Sequence, residues 1–322
     1  MMQTLLALLE IARPKQWVKN AFVFAALIFA KRIDDPVAVA QSLAAFILFC
    51  LFSSCVYMLN DIVDLERDRK HPEKCSRPLP SGRIPVRTVI IADLVLFLIA
   101  IAGSILLSNN FLLIGLAYVA ANLFYSFQGK SIVILDGMLI ALGFVLRTVA
   151  GAWVIGVEFS SWLYICAIFV SLFLAFCKRR QEILLLGADN AHDHRAILRE
   201  YSMKLLDQII AVVTTATLVT YSLYCIDTLD RDRIQAQFHQ WSPPVAPEMQ
   251  APIPEEARDV TRHSTNMKYT IPFVIYGLFR YLYLVYQRDE GGNPSELLVN
   301  DRPLLINGFI WLGVVIWVLY TA

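Results

Sequence analysis

Apolar residues run through this chain in nine long stretches, at about 17–31, 42–60, 88–107, 111–127, 132–156, 160–177, 208–226, 270–287 and 303–321. A helix needs about 20 mostly apolar residues to cross a bilayer core, and shorter runs serve where a span is tilted or shielded. The first and fourth runs are the short ones. The pattern predicts an all-α integral membrane protein with about nine transmembrane helices. Composition agrees: 57% of the 322 residues are hydrophobic and 17% charged, against about a quarter charged in soluble domains. Mean hydropathy is +0.56.

The interruptions orient the runs. Arg13, Lys15 and Lys19 flank the first run, seven Lys or Arg fall in 61–87 and six in 178–207, whereas the short segments on the opposite side carry only Lys31 and Arg32. Cytoplasmic flanks collect Lys and Arg, so the amino terminus is expected inside and, with nine spans, the carboxyl terminus outside a cell (plasma) membrane. The segment from about 228 to 268 has five basic and six acidic residues and prolines at 243, 244, 247, 252 and 254. It is expected to be a Pro-rich, irregular outer loop attached to a single transmembrane domain spanning 1–322. Met1–Glu10 lacks the basic start and small-residue cleavage site of a removable signal, so the first span is expected to be retained. The six cysteines (50, 55, 75, 166, 177, 225) show no CxxC and no Cys/His ligand spacing, which leaves packing as their simplest role.

Chemistry concentrates after the second run. Residues 60–68 read NDIVDLERD, which spaces Asn60, Asp61, Asp64 and Asp68 at helical intervals of three and four, on one face. Mg²⁺ takes oxygen ligands, commonly one or two carboxylates plus substrate phosphates, so Asp61, Asp64 and Asp68 are metal-ligand candidates with Asn60 beside them. Arg67, Arg69, Lys70, Lys74, Arg77 and Arg83 follow at once. Acids for a metal beside bases for phosphate suit a diphosphate better than a loop that only fixes topology. Arg147 lies inside the fifth run, where a guanidinium is costly and usually faces a cavity or an acid; Asp136, three turns earlier, is a candidate partner. Arg280, in the eighth, has the same status. Lys130 ends the fourth run as a snorkelling anchor or a further phosphate contact, and Tyr57 and Tyr201 are either packing residues or contacts to phosphate or ribose. Asp189 and Asp193 repeat the four-residue acidic spacing, but beyond Gly187 and among Asn190 and two histidines they are expected in a solvated loop.

RPKQWVKN at Arg13–Asn20, YMLNDIVDLERDRKHPEKCSRPLPSG at Tyr57–Gly82, KRRQE at Lys178–Glu182, REYS at Arg199–Ser202 and DEGGNPSE at Asp289–Glu296, followed by Asp301 and Arg302, together resemble the UbiA-type polyprenyl transferases. Within them the chain is most similar to the decaprenyl-phosphate phosphoribosyltransferase branch. The resemblance implies an all-helical fold around a central cavity, Mg²⁺ as cofactor, and transfer of 5-phosphoribose from phosphoribosyl diphosphate to a polyprenyl phosphate held in the lipid bilayer. It also makes Lys19 a phosphate contact. Prenyl-transferring members carry a second Asp-rich motif; here the corresponding segment opens with Lys178, Arg179, Arg180, Gln181 and Glu182, a phosphate-binding set. The substrate-binding candidates are therefore Lys19, Arg67, Arg77, Lys130, Arg147, Lys178, Arg179, Glu182 and Tyr201. An aromatic prenyltransferase of quinone or haem biosynthesis and a non-enzymatic carrier of anionic lipids remain as alternatives, although a carrier would leave NDIVDLERD without a purpose.

The charge asymmetry yields a direct expectation for topology. A reporter fused after Ala322 should behave as periplasmic and one inserted near Ser81 as cytoplasmic; the same compartment for both would mean a miscounted span or a reversed orientation.

Overall fold

The structure is a computed structural model, and it describes residues 2–70, 74–157, 160–194, 200–241, 265–288, 297 and 300–320. Those residues form helices and turns: α1 (Met2–Ala12), a 3-10 segment (Pro14–Phe24), α2 (Ala25–Phe29), α3 (Pro36–Val63), α4 (Leu65–Arg69), α5 (Val86–Leu107), α6 (Asn109–Phe127), α7 (Leu135–Val154), α8 (Ser161–His194), α9 (Met203–Trp241), α10 (Ile271–Gln287) and α11 (Arg302–Tyr320). The chain divides into two compact units, one of Met1–Phe159 with Asp189–Tyr201, the other of Ser160–Ala188 with Ser202–Ala322.

Seven helices among the described residues are long and apolar enough to cross a membrane: α3, α5, α6, α7, α11 and the apolar parts of α8 and α9. This is a multi-pass membrane protein. The count of nine is not confirmed, and the two differences have physical reasons. The first expected span is no continuous α-helix: polar Lys19 and Asn20 break its apolar run, and the chain forms 3-10 turns and then five α-helical residues. The eighth, α10, has 17 residues, about 25 Å at 1.5 Å per residue, so it falls just short of the hydrocarbon core.

Two expected loops are helical at the backbone. α8 runs past 177 through Lys178–Glu182 and the Asp189–Asp193 stretch to His194. α9 continues to Trp241, into the segment expected to be irregular from 228, because no proline occurs before 243 to remove an amide donor. Residues 242–264, which hold the prolines, and the DEGGNPSE stretch lie outside the described residues.

In the first unit α3 is the hub, packed by α5, α6, α7, the 3-10 segment and α1. Phe49 of α3 meets Phe111 and Tyr118 of α6 edge-on at 5.6 and 5.5 Å between ring centroids, an arrangement that favours ring quadrupoles. Gly103 of α5 and Gly115 of α6 lie against Leu48 and Phe52 of α3, as small residues do where membrane helices approach closely. The other side of α5 leaves Ile91, Leu94, Leu98 and Leu106 exposed, the surface a bilayer would solvate. In the second unit, Trp311 donates to the Tyr221 hydroxyl at 3.0 Å, which in turn pairs with Thr270 Oγ1 at 2.7 Å. Arg280, expected like Arg147 to face a cavity or an acid, forks onto Asp301 at 3.2 and 2.8 Å. That hydrogen bond, with the Leu304 amide bonded to the same carboxylate, holds the Asp301 carboxyl below its usual range.

The tightest helix approach in the first unit sets a stability expectation. A Cβ on Gly151 of α7 would run into the backbone carbonyl of Val23 on the 3-10 segment, whereas one on Gly313 would meet nothing within 4 Å. Gly151→Ala should destabilise by about 1–3 kcal/mol because backbone, unlike a side-chain tip, cannot give way. Melting in detergent, followed by size-exclusion fluorescence, should drop for Gly151→Ala and not for Gly313→Ala; equal melting would contradict this packing.

Candidate diphosphate site

The acidic ladder lies where α3 ends. Asp64, with φ −91° and ψ 8°, stands between α3 and α4, so the expected single helical face is divided there. The i→i−4 bonds of Asp64 to Asn60 and of Asp68 to Asp64, at 2.9 and 2.8 Å, nevertheless carry the chain direction across the break. Asp61 and Asp68 are both buried, each 3% exposed, and Asp64 is half-buried.

Burying two carboxylates near one another is costly unless cations pair with them. Arg13 donates to Asp61 and lies over the Tyr57 ring at 4.9 Å. Arg77 Nη1 stands 3.0 Å from Asp68 Oδ2 and 3.5 Å from Asp61 Oδ1, so one guanidinium joins the two acids. Lys74 Nζ approaches Asp68 at 3.7 Å. Asp64 faces other partners, Lys130 at 3.1 Å and the exposed Arg67 at 3.7 Å. The Asn60 side-chain carbonyl accepts a hydrogen bond from Ser126 of α6. The ladder thus yields one buried pair, Asp61 and Asp68, and one separate ion pair, Asp64 with Lys130. Among the described residues no group of three His, Cys, Asp or Glu is placed to hold a metal, so the three expected ligands do not converge as a triad.

Deeper in the same unit, Arg147 is buried and donates from Nε to Asn20 Oδ1 at 2.7 Å and from Nη2 to the Tyr118 hydroxyl at 2.9 Å. Asn20 also donates to Ser53 Oγ at 3.2 Å. The Tyr118 and Phe144 rings lie 4.8 and 5.4 Å from the guanidinium carbon. These partners are neutral, and no carboxylate among the described residues pairs with Arg147.

Asp136, the candidate partner of Arg147, bonds elsewhere. Fully buried, it accepts a hydrogen bond of 2.6 Å from the Tyr201 hydroxyl, and the Ile134 amide donates to that same hydroxyl at 2.6 Å. Tyr201 is 4% exposed, and its hydroxyl bonds to protein groups, as the packing alternative has it. Lys19 is half-buried on the 3-10 segment. Lys178, Arg179 and Glu182 belong to the second unit, on α8. Arg179 is fully buried and ion-paired with Glu182, with Lys178 Nζ 4.0 Å from the same carboxylate. Arg180 pairs with Asp207 at 2.9 Å and with the Val285 carbonyl at 3.1 Å. The important residue missed from sequence is Arg13. It stood inside RPKQWVKN, but 48 positions separate it from Asp61, and no local spacing reports such a pair.

A family model described as the UbiA prenyltransferase family matches residues 20–182. The chain is 31% identical to the decaprenyl-phosphate phosphoribosyltransferase of Corynebacterium glutamicum, over 97% of this chain and 86% of that one. It is 30% identical to the enzyme of the same name from Mycolicibacterium smegmatis, over 96% and 91%. Among solved structures it is similar to a UbiA homolog from Archaeoglobus fulgidus bound to GPP and Mg²⁺, with a TM-score of 0.68 and 16% identity over 97% of this chain and 99% of that one; at that identity the likeness speaks for the fold alone. The buried carboxylates thus end a helix in a fold already known from solved relatives, and the chain belongs to the UbiA prenyltransferase family.

Proposed function

We propose that this protein transfers 5-phosphoribose from phosphoribosyl diphosphate to a polyprenyl phosphate, releasing diphosphate, in a plasma membrane whose cytoplasmic side holds the amino terminus and the site. The product would feed cell-envelope glycan synthesis. The observation that carries the reading is the alternation of buried Asp61 and Asp68 with Arg13, Arg77 and Lys74. A polyanionic donor needs cations for its oxygens, and buried acids with no substrate role would be an expensive way to end a helix. The full-length relatives named for phosphoribosyl transfer support this donor over a prenyl diphosphate.

The donor set fits Mg²⁺. Asp61 and Asp68 offer hard carboxylate oxygens within reach of one guanidinium, and this cation commonly takes one or two protein carboxylates and completes its shell with phosphate and water. When bound by Asp61 and Asp68, Mg²⁺ would neutralise the departing diphosphate. The protein's own groups do the rest. Arg77, released from bridging the two acids, and Arg13 bind diphosphate oxygens, and Lys130, placed by Asp64, takes a further phosphate oxygen of the donor. Arg147, a cation with neutral partners, and Lys19 attract the phosphate of the lipid. The bond from ribose C1 to diphosphate breaks, C1 gains oxocarbenium character, and an oxygen of the lipid phosphate forms the new bond to C1. That oxygen is already anionic, so no proton need be removed and no histidine base is required.

Asp61→Asn and Asp68→Asn, nearly isosteric changes, should each lower kcat/KM about 100- to 1,000-fold, as loss of a charge-stabilising group in a dry site does. Glu66→Gln, at an exposed position paired among the described residues with Arg69 in the same short helix, should leave turnover unchanged. Wild-type turnover in either Asp variant would overturn the site assignment.

A further inference from the structure

Ile134 has φ 69° and ψ −46°, and the Leu135 amide donates to the Val133 carbonyl at 2.8 Å across it. This is a γ-turn of the strained sort, built on a β-branched residue that left-handed backbone disfavours. Such a conformation persists only where its surroundings over-determine it, and it occurs preferentially at functional sites. Here the surroundings are specific. The Ile134 amide donates to the Tyr201 hydroxyl, and that hydroxyl donates to Asp136 two residues further along, each at 2.6 Å. Tyr201 and Asp136 are buried at 4% and 0% exposure, so water does not compete for either bond.

Four residues before the turn stands Lys130. Its neighbour Gly129 is buried against α7, where a Cβ would meet the tip of the Leu139 side chain, so the Gly129–Ser131 turn packs on the helix that follows the γ-turn. Lys130 then reaches Asp64 at 3.1 Å. A continuous path therefore runs from the Tyr201 hydroxyl through the strained turn at Ile134 to an ammonium beside the acidic ladder.

We propose that Tyr201 is a positioning residue: by clamping the γ-turn to Asp136 it sets where Lys130 stands against Asp64 and hence against the donor's phosphate. The inference rests on the transferase reading for its kinetic consequence, but the placement of Lys130 can be read without turnover. Tyr201, two residues before α9, thereby joins the start of α7 within one compact unit.

The test uses the full-length protein in detergent, as wild type, Tyr201→Phe, and Tyr201→Phe combined with Ile134→Gly. Acylation of Lys130 by a water-soluble N-hydroxysuccinimide ester is quantified by mass spectrometry on the monodisperse fraction. Phe keeps the ring and removes only the hydroxyl, so labelling of Lys130 should rise several-fold, while that of exposed Lys15 stays constant. Initial rates with phosphoribosyl diphosphate and decaprenyl phosphate should show kcat down about three- to tenfold, the scale of one lost buried hydrogen bond, with the KM for the lipid within twofold of wild type. Glycine accepts φ 69° without strain, so the double variant should recover most of both losses. Unchanged Lys130 labelling in Tyr201→Phe, or a double variant as impaired as the single, overturns the proposal. If wild type shows no transfer with these substrates, the transferase reading fails, and the labelling arm decides the positioning claim alone.

Discussion

The structure depends most on the electrostatic balance where α3 ends. Two carboxylates, Asp61 and Asp68, are buried there, and each would be untenable without a cation. Arg77 serves both, Arg13 and Lys74 serve one each. The requirement reaches outward from that point. Arg13 must leave α1 in a left-handed backbone conformation, φ 53°, to aim at Asp61, and the chain after it runs as 3-10 turns close under α7. The polypeptide after α4 must fold back to return Arg77. The surrounding helices thus have their places fixed by charge pairing as well as by the apolar packing around Phe49. Paired carboxylates are also primed for exchange: a substrate bringing its own negative charge and a divalent cation offers the acids and the bases new partners of opposite sign, so binding need not leave a buried charge bare.

Much of the fold was legible in the sequence because bilayer helices leave long, nearly uninterrupted apolar runs. Seven of the runs became helices long enough to cross; the ends of α5, α6, α7 and α11 agree within a few residues, whereas α3 begins six residues before the expected run, at Pro36, where Asp35 caps it through the Val37 and Ala38 amides. Failures came where apolar content and helical geometry part company. The run at 17–31 is apolar enough on average, yet Asn20 inside it is committed to Arg147 and Ser53, and the segment takes a tighter helix. The charged ends of α8 and α9 looked like loops because polarity, and Gly187 in α8, were read as irregularity, although no proline interrupts either stretch before Pro243 and a single glycine costs a helix only about 1 kcal/mol.

The candidate site was legible in its residue types and only partly in its pairings. Spacing by three and four correctly gathered Asn60, Asp61, Asp64 and Asp68 into one region, but a straight helix was assumed, and the turn at Asp64 sends that carboxylate to Lys130 while Asp61 and Asp68 share Arg77. Arg147 was recognisable as exceptional from its place in an apolar run. Its partners were not, because Asn20 and Tyr118 come from other elements and carry no charge to advertise the contact. Tyr201 was picked out as either a packing residue or a substrate contact, and its hydroxyl bonds to the Ile134 amide and to Asp136. In each case what the sequence lacked was a contact across tens of residues, which only tertiary packing decides.

The most direct test of the central claim is a choice of donors. Purified protein with Mg²⁺ is offered labelled phosphoribosyl diphosphate with decaprenyl phosphate and, in parallel, a labelled prenyl diphosphate with an aromatic acceptor. The account predicts that label from phosphoribosyl diphosphate passes to the lipid phosphate, that diphosphate is released in equal amount, and that the prenyl donor gives no product. Transfer from the prenyl diphosphate alone would contradict it.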